Sequence, residues 1–219
     1  MERSVPRIGS WAGWIALVGI LGYHLALTVM AGTRVSGVID AAAVRAYYGQ
    51  SIVAFAGVEQ FLVVIPIAVF AVALRQVLAD SPMRRLLTGV ALVAVVAELP
   101  VILTEIATQA GLVAAVQAQE PVIGLFRFWD ALYNSGGYVL EATWVLAFGL
   151  AMRGVPAFPS FMRWFSPLTA LLLGINAFAI WVGIPDAATL PSSLLFAIWL
   201  GGASLGLGRA TAGGANLSA

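Results

Sequence analysis

Six long, mostly apolar stretches run through this chain, separated by short polar connections. A helix needs about 20 such residues to cross hydrocarbon, where no water is present to satisfy a backbone N–H or C=O. The stretches 11–31, 51–79, 84–116, 131–152, 162–184 and 189–208 meet that length. They predict an all-α fold, a polytopic integral membrane bundle of about six transmembrane helices, in a single domain over residues 1–219. The second and third are longer than a bilayer requires, which predicts tilt or extension past the hydrocarbon. Charged residues make up 10% of the chain, against roughly a quarter in a soluble domain. So much apolar surface cannot be hidden in one core of this size.

The arginines set a direction. Arg3, Arg7, Arg75, Arg84, Arg85, Arg153, Arg163 and Arg209 fall on one side of a six-span arrangement, and Arg34, Arg45 and Arg127 on the other. Cytoplasmic loops carry the excess of basic residues. Both termini are therefore expected in the cytoplasm of a cell-membrane protein. The first apolar run, preceded by Arg3 and Arg7, is longer than a signal-peptide core and is read as a retained span. In the connection 33–50, AAAVRAYY suits a short interfacial helix. The piece 121–129 is too short to cross; it either lies at the interface or starts the fourth helix early. The tail 211–219 is small and polar, and disorder is expected there. Gly202 and Gly206 form a GxxxG, a signature of close helix packing.

Several chemistries are excluded by absence. No cysteine is present, and every basic residue is arginine. That rules out thiolate metal sites, dithiol redox chemistry and lysine Schiff bases. A single histidine, His24, cannot build a bis-histidine haem site. The arginines are scattered, so no nucleic-acid partner is expected. No metal and no cofactor are expected either. The expected partners are the lipid bilayer and a lipophilic small molecule.

Acids inside the apolar runs carry the functional signal. Glu59, Glu98, Glu105 and Glu141 fall within them, and Asp130 stands at the entrance of the fourth. A charge at the centre of a membrane helix costs roughly 2.5–3.5 kcal/mol on insertion scales. Such groups must face the bundle interior, pair or protonate. Glu98 and Glu105, seven apart, share a helix face that Gln109 continues. Asp130, Asn134, Tyr138 and Glu141 follow at i, i+4, i+8 and i+11, a polar stripe if the helix is uniform. His24 and Asn176 place polar groups in the first and fifth runs. Pro100, two residues after Glu98, frees a carbonyl and favours a kink beside the acid.

Aromatic residues gather at the same level, including Phe55, Phe126, Trp129, Tyr133, Tyr138, Phe178 and Trp181. Their faces attract cations. A carboxylic acid shielded from water stays protonated near neutral pH. Acids with aromatics in a dry pocket thus suit protonation of an apolar substrate and stabilisation of the resulting cation. Some of these residues have simpler readings. Trp11, Trp14, Trp164 and Phe165 suit an interfacial belt. His24 suits a hydrogen bond to a buried acid, Glu59 a structural bond and Asp186 a cap.

The segments GVEQFLVVIPIAVFAVAL, VAELPVIL, MRGVPAFPSFMRWF and LPSSLLFAIWLGG resemble, over perhaps 180 residues, an uncharacterised family of small polytopic bacterial membrane proteins. The surplus of membrane acids, notably Glu105, Asp130 and Glu141, resembles in design the integral membrane terpene cyclases of natural-product pathways. That resemblance implies acid-catalysed cyclisation of a prenylated substrate. For such chemistry Asp130 or Glu98 is the expected proton donor, with Glu141, Glu105 and Glu59 as further candidate acids or bases. Tyr138, Asn134, Trp129, Tyr133, Phe55, His24, Asn176 and Trp181 are the candidate substrate-binding residues. Two other classes remain open: a proton-coupled carrier or lipophilic-ligand binder, and a structural membrane protein with a polar core.

Overall fold

The computed structural model of the chain describes residues 4–25, 40–179 and 189–213, without the side chains of 23–25, 52, 54–62, 133–135, 189–191, 212 and 213. The described residues form α-helices and no strand. In order they are α1 (Ser4–Leu25), α2 (Ala41–Tyr48), α3 (Ser51–Leu78), α4 (Pro82–Gln117), α5 (Ile123–Ala131), α6 (Tyr138–Ala151), α7 (Met162–Ala179) and α8 (Thr189–Gly213). A π-helical segment, Leu132–Gly137, joins α5 to α6. The all-α expectation therefore holds.

Among the described residues, three helical stretches are long and apolar enough to cross a membrane: Ser4–Gly22, Pro82–Gln117 and Ser192–Thr211. Two more are apolar but shorter, Val63–Leu78 and Tyr138–Ala151. The first is the C-terminal part of α3, a helix of 28 residues. The second is short because the π segment interrupts its helix. α1 starts seven residues before the expected span, and α8 continues to Gly213, into the tail where disorder was expected. The piece 121–129 starts the fourth helical run early, as α5.

Long helices alternate in direction and close into a ring. α3 packs on α1, α4 on α3, α6 on α4, α7 on α6 and α8 on α7, and α8 returns to α1. Glycines mark the closest approaches. A Cβ on Gly9 would fall 2.1 Å from the Ala73 Cβ, and one on Gly13 equally close to the Ser204 Oγ. One on Gly149 would meet the Ser166 Cβ at 2.1 Å. The expected GxxxG packing is present: Cβ atoms on Gly202 and Gly206 would run into Met162 and Phe158.

Inside the ring sits an aromatic core. Trp144 and Trp199 meet edge-on at 5.3 Å, Phe196 lies 5.3 Å from Trp144, and Phe70 closes on Trp199 at 6.3 Å. The Trp199 indole N–H donates to the Ser166 Oγ at 2.8 Å, so no indole polarity is left unmatched there. Phe165, expected in an interfacial belt, is buried in this core, whereas Trp11 and Trp164 are exposed.

Each ring helix also turns a large apolar side chain outward: Val18, Ile65, Val93, Val139, Phe178 and Ile198 are all 45–70% exposed. Apolar atoms thus line both the inside and the outside of the ring.

α4 is about 54 Å long at 1.5 Å per residue, more than a hydrocarbon core of about 30 Å. Its far end carries a cap made of α2 and α5. α2 is N-capped by Asp40, whose carboxylate accepts from the Ala43 N–H at 2.6 Å. It buries Val44, Tyr47 and Tyr48 against Leu112, Phe126 and Trp129. The turn after α4 places Gln119 at φ +60°, with the Glu120 N–H bonded to the Ala115 carbonyl. This is a Schellman ending with glutamine where glycine is usual. Arg45 donates to the Glu120 carbonyl at 2.5 Å and so holds α2 onto that turn. Gln119→Gly should raise stability by roughly 0.5–1 kcal/mol, because glycine adopts positive φ without a Cβ penalty. Unfolding in detergent followed by circular dichroism measures this.

Candidate functional site

Two helices supply the acids. Glu98 and Glu105 lie on the buried face of α4, 5% and 7% exposed, two turns apart as their spacing requires. Glu141 lies in the first turn of α6 and is partly buried. Antiparallel packing of α4 and α6 brings all three within electrostatic reach of one another. The sequence separates them by up to 43 residues, from Glu98 to Glu141.

Each carboxylate has a defined setting. Trp144 donates its indole N–H to the Glu98 Oε2 at 2.5 Å, inside the aromatic core. Glu105 Oε1 lies 3.5 Å from the Cβ position of Gly137, the last residue of the π segment. Val101 packs under Gly136 in the same way. Gln109, one turn beyond Glu105, donates to the Val53 carbonyl at 3.3 Å. Its own Oε1 is buried and has no hydrogen-bond partner. A buried carbonyl without a donor is uncommon.

The π segment changes the geometry of the predicted stripe. Each π turn takes up an extra residue. The i, i+4, i+8, i+11 spacing that aligned Asp130 and Asn134 with Tyr138 and Glu141 does not carry through Leu132–Gly137. Asp130 sits in the last turn of α5, partly buried, on the other side of that segment from Glu141. Tyr138 is buried where α6 begins.

Other candidates take separate places. Trp129 belongs to the cap, 6.2 Å from Tyr48 and 5.9 Å from Phe126. Asn176 donates to the Ser192 Oγ at 2.6 Å, a buried link between α7 and α8. Phe178 is 67% exposed and faces outward. The side chains of His24, Phe55, Glu59, Tyr133 and Asn134, and Trp181 and Asp186 entirely, lie outside the described residues. Among the described residues, no group of three or more acids or histidines is arranged to hold a metal ion.

A groove of about 780 Å³ runs along the outer side of the α6–α7 pair. It begins at Ala142, the residue after Glu141, and Thr143 is its one polar lining residue.

Compared with known proteins, the chain matches no family model, no curated protein and no solved structure. Sequence reasoning missed Trp144 as the partner of Glu98. The signal was present, since Trp144 follows Glu141 by three and so shares its helix face. The π segment had only a weak signal, the pair Gly136-Gly137 inside an apolar run.

Proposed function

We propose that the protein is a six-span cell-membrane enzyme with both termini in the cytoplasm, and that Glu98, Glu105 and Glu141 carry out acid-catalysed cyclisation of a lipophilic, prenylated substrate. The observation that carries this reading is the convergence of three carboxyl groups from α4 and α6 inside an apolar ring. Membrane acids are expensive, and those that persist mark proton transfer or ligand sites. The outward apolar residues on all six ring helices support the bilayer, and the described arginines support its direction. Arg7, Arg75, Arg84, Arg85, Arg153, Arg163 and Arg209 lie at one end of the ring, in or next to the helix ends gathered there. Arg45, on the opposite side, is accounted for by its bond to the turn after α4.

The chemistry balances without a co-reactant. A protonated carboxyl gives its proton to an alkene or epoxide. The carbocation moves as carbon–carbon bonds form, and the aromatic faces near Glu98 stabilise it. A neighbouring carboxylate then removes a proton from the cyclised cation. Product and substrate are isomers, and the protein's proton count is restored. Clustered carboxyl groups titrate together, so donor and base are roles of the group rather than of fixed residues. The α6–α7 groove offers a lipophilic chain a route from the bilayer toward α6.

The test is expression of the full chain with a panel of prenylated alkenes and epoxides, followed by mass spectrometry of the lipid extract. Cyclised isomers that depend on the protein are expected. Failure of every substrate, while the purified protein still binds one of them, would sink catalysis and leave a binder. A reporter fused after Ala219 should read as cytoplasmic, and an external reading would overturn the orientation.

A further inference from the structure

A second site lies at the arginine-rich end, far along the helices from the acids. The start of α1 and the end of α8 leave between them a groove of about 640 Å³, lined by Arg7, Ser10, Trp11, Trp14, Gly208 and Thr211. Gly208 lines the groove, and a Cβ there would stand 3.3 Å from the Ser10 Oγ. Ser10 donates to the Ser204 carbonyl at 2.9 Å and fixes α1 against α8. Thr211 donates to the Leu207 carbonyl at 3.0 Å. Both hydroxyl protons are thus committed to backbone.

The charge in the groove is not committed among the described residues. The exposed side chain of Arg7 has no hydrogen-bond or ion-pair partner among them, and the same is true of Arg209, next to Gly208. The one acid at this end among the described residues is Asp80, and Arg84 holds it at 2.5 Å. Arg84 also keeps the Asp80 carboxyl below its ordinary pKa, so the pair is ionised. Trp11, 62% exposed, sets the depth of the groove at the interfacial level that tryptophan prefers.

We propose that this groove binds the phosphate-bearing headgroup of an anionic phospholipid, with Arg7 on the phosphate and Trp11 and Trp14 along the glycerol and upper acyl chains. An arginine fork matches phosphate oxygens in pairs. Basic pockets between membrane helices on the cytoplasmic side suit acidic headgroups. A choline headgroup would instead bring its cation into a groove whose one charged lining residue is Arg7. The inference rests on the membrane reading above, though not on the proposed catalysis.

The test uses the full chain in a neutral detergent, titrated with phosphatidylglycerol, phosphatidylcholine or inorganic phosphate and read by native mass spectrometry and tryptophan fluorescence. Phosphatidylglycerol should saturate one site, with the other two probes bound at least about tenfold more weakly, a difference of about 1.4 kcal/mol. Arg7→Gln should weaken phosphatidylglycerol about fivefold, and Arg7→Lys less. Arg163→Gln removes a charge at the same end outside the groove and should change nothing. Equal weakening by Arg163→Gln would mean diffuse attraction and overturn the site. So would unchanged affinity in Arg7→Gln, or phosphate binding as tight as the lipid. An external reporter at Ala219 with the lipid still bound defeats the orientation alone; a cytoplasmic reporter with no selective binding defeats the groove alone.

Discussion

Glu98→Gln and Glu141→Gln are expected to leave the bundle folded and to lower turnover on a cyclised substrate by about a hundredfold or more, the usual worth of a positioned general acid or base. Glutamine keeps the volume of glutamate. Its Oε1 can still accept the Trp144 indole N–H that Glu98 accepts at 2.5 Å. What it loses is the proton it could give or take. An amide is also cheaper than a carboxylate in an apolar interior, so thermal stability in detergent should hold or rise. Glu98→Leu is the contrasting variant. It leaves the Trp144 N–H buried without an acceptor, which costs about 1–3 kcal/mol, so it should melt earlier. Asp130→Asn completes the series from across the π segment, where the break in helical phase predicts the smallest effect. Stability is measured first and product formation second. If the Glu98 and Glu141 amides both keep full turnover, acid catalysis by this cluster is wrong and the binder reading replaces it.

Hydropathy made the helices legible, because the requirement for about 20 apolar residues is independent of how helices pack. The pairing of Glu98 with Glu105 was legible too, since seven residues make nearly two whole turns. The approach of Glu141 to both acids was not, because it depends on which helix lies beside which. That order is set at positions such as Gly149 and Ser166, where two backbones come close and no hydropathy signal is left. The Asp130–Glu141 stripe failed for a different reason. Spacing assumes uniform α geometry, and Leu132–Gly137 departs from it. Asn176 shows the limit of reading polar residues in apolar runs as functional, because its hydrogen bond to Ser192 joins α7 to α8. Arg45 shows a related limit of counting charge by side: it sits where it does to bond the turn after α4.

That same helix order makes Gly149 the most sensitive small residue in the ring. Its missing side chain lets α6 and α7 approach until a Cβ would lie 2.1 Å from the Ser166 Cβ, 2.4 Å from its Oγ and 3.5 Å from its Cα. None of those atoms is the far end of a flexible chain. Ser166 is itself held, donating to the Met162 carbonyl at 2.8 Å and accepting from Trp199. Gly149→Ala must therefore push α6 and α7 apart or break the Trp199 bond. The expected loss is about 1–3 kcal/mol, as for other overpacked cores, and Gly149→Leu should lose more. Gly174, on α7, is the control. Nothing lies within 4 Å of its Cβ position, so Gly174→Ala should gain up to about 1 kcal/mol from helix propensity alone. Opposite signs for the same chemical change on two neighbouring helices, read by unfolding in one detergent, are the expected result. Equal signs would mean that α6 and α7 do not meet at Gly149 as closely as the 2.1 Å approach to Ser166 requires.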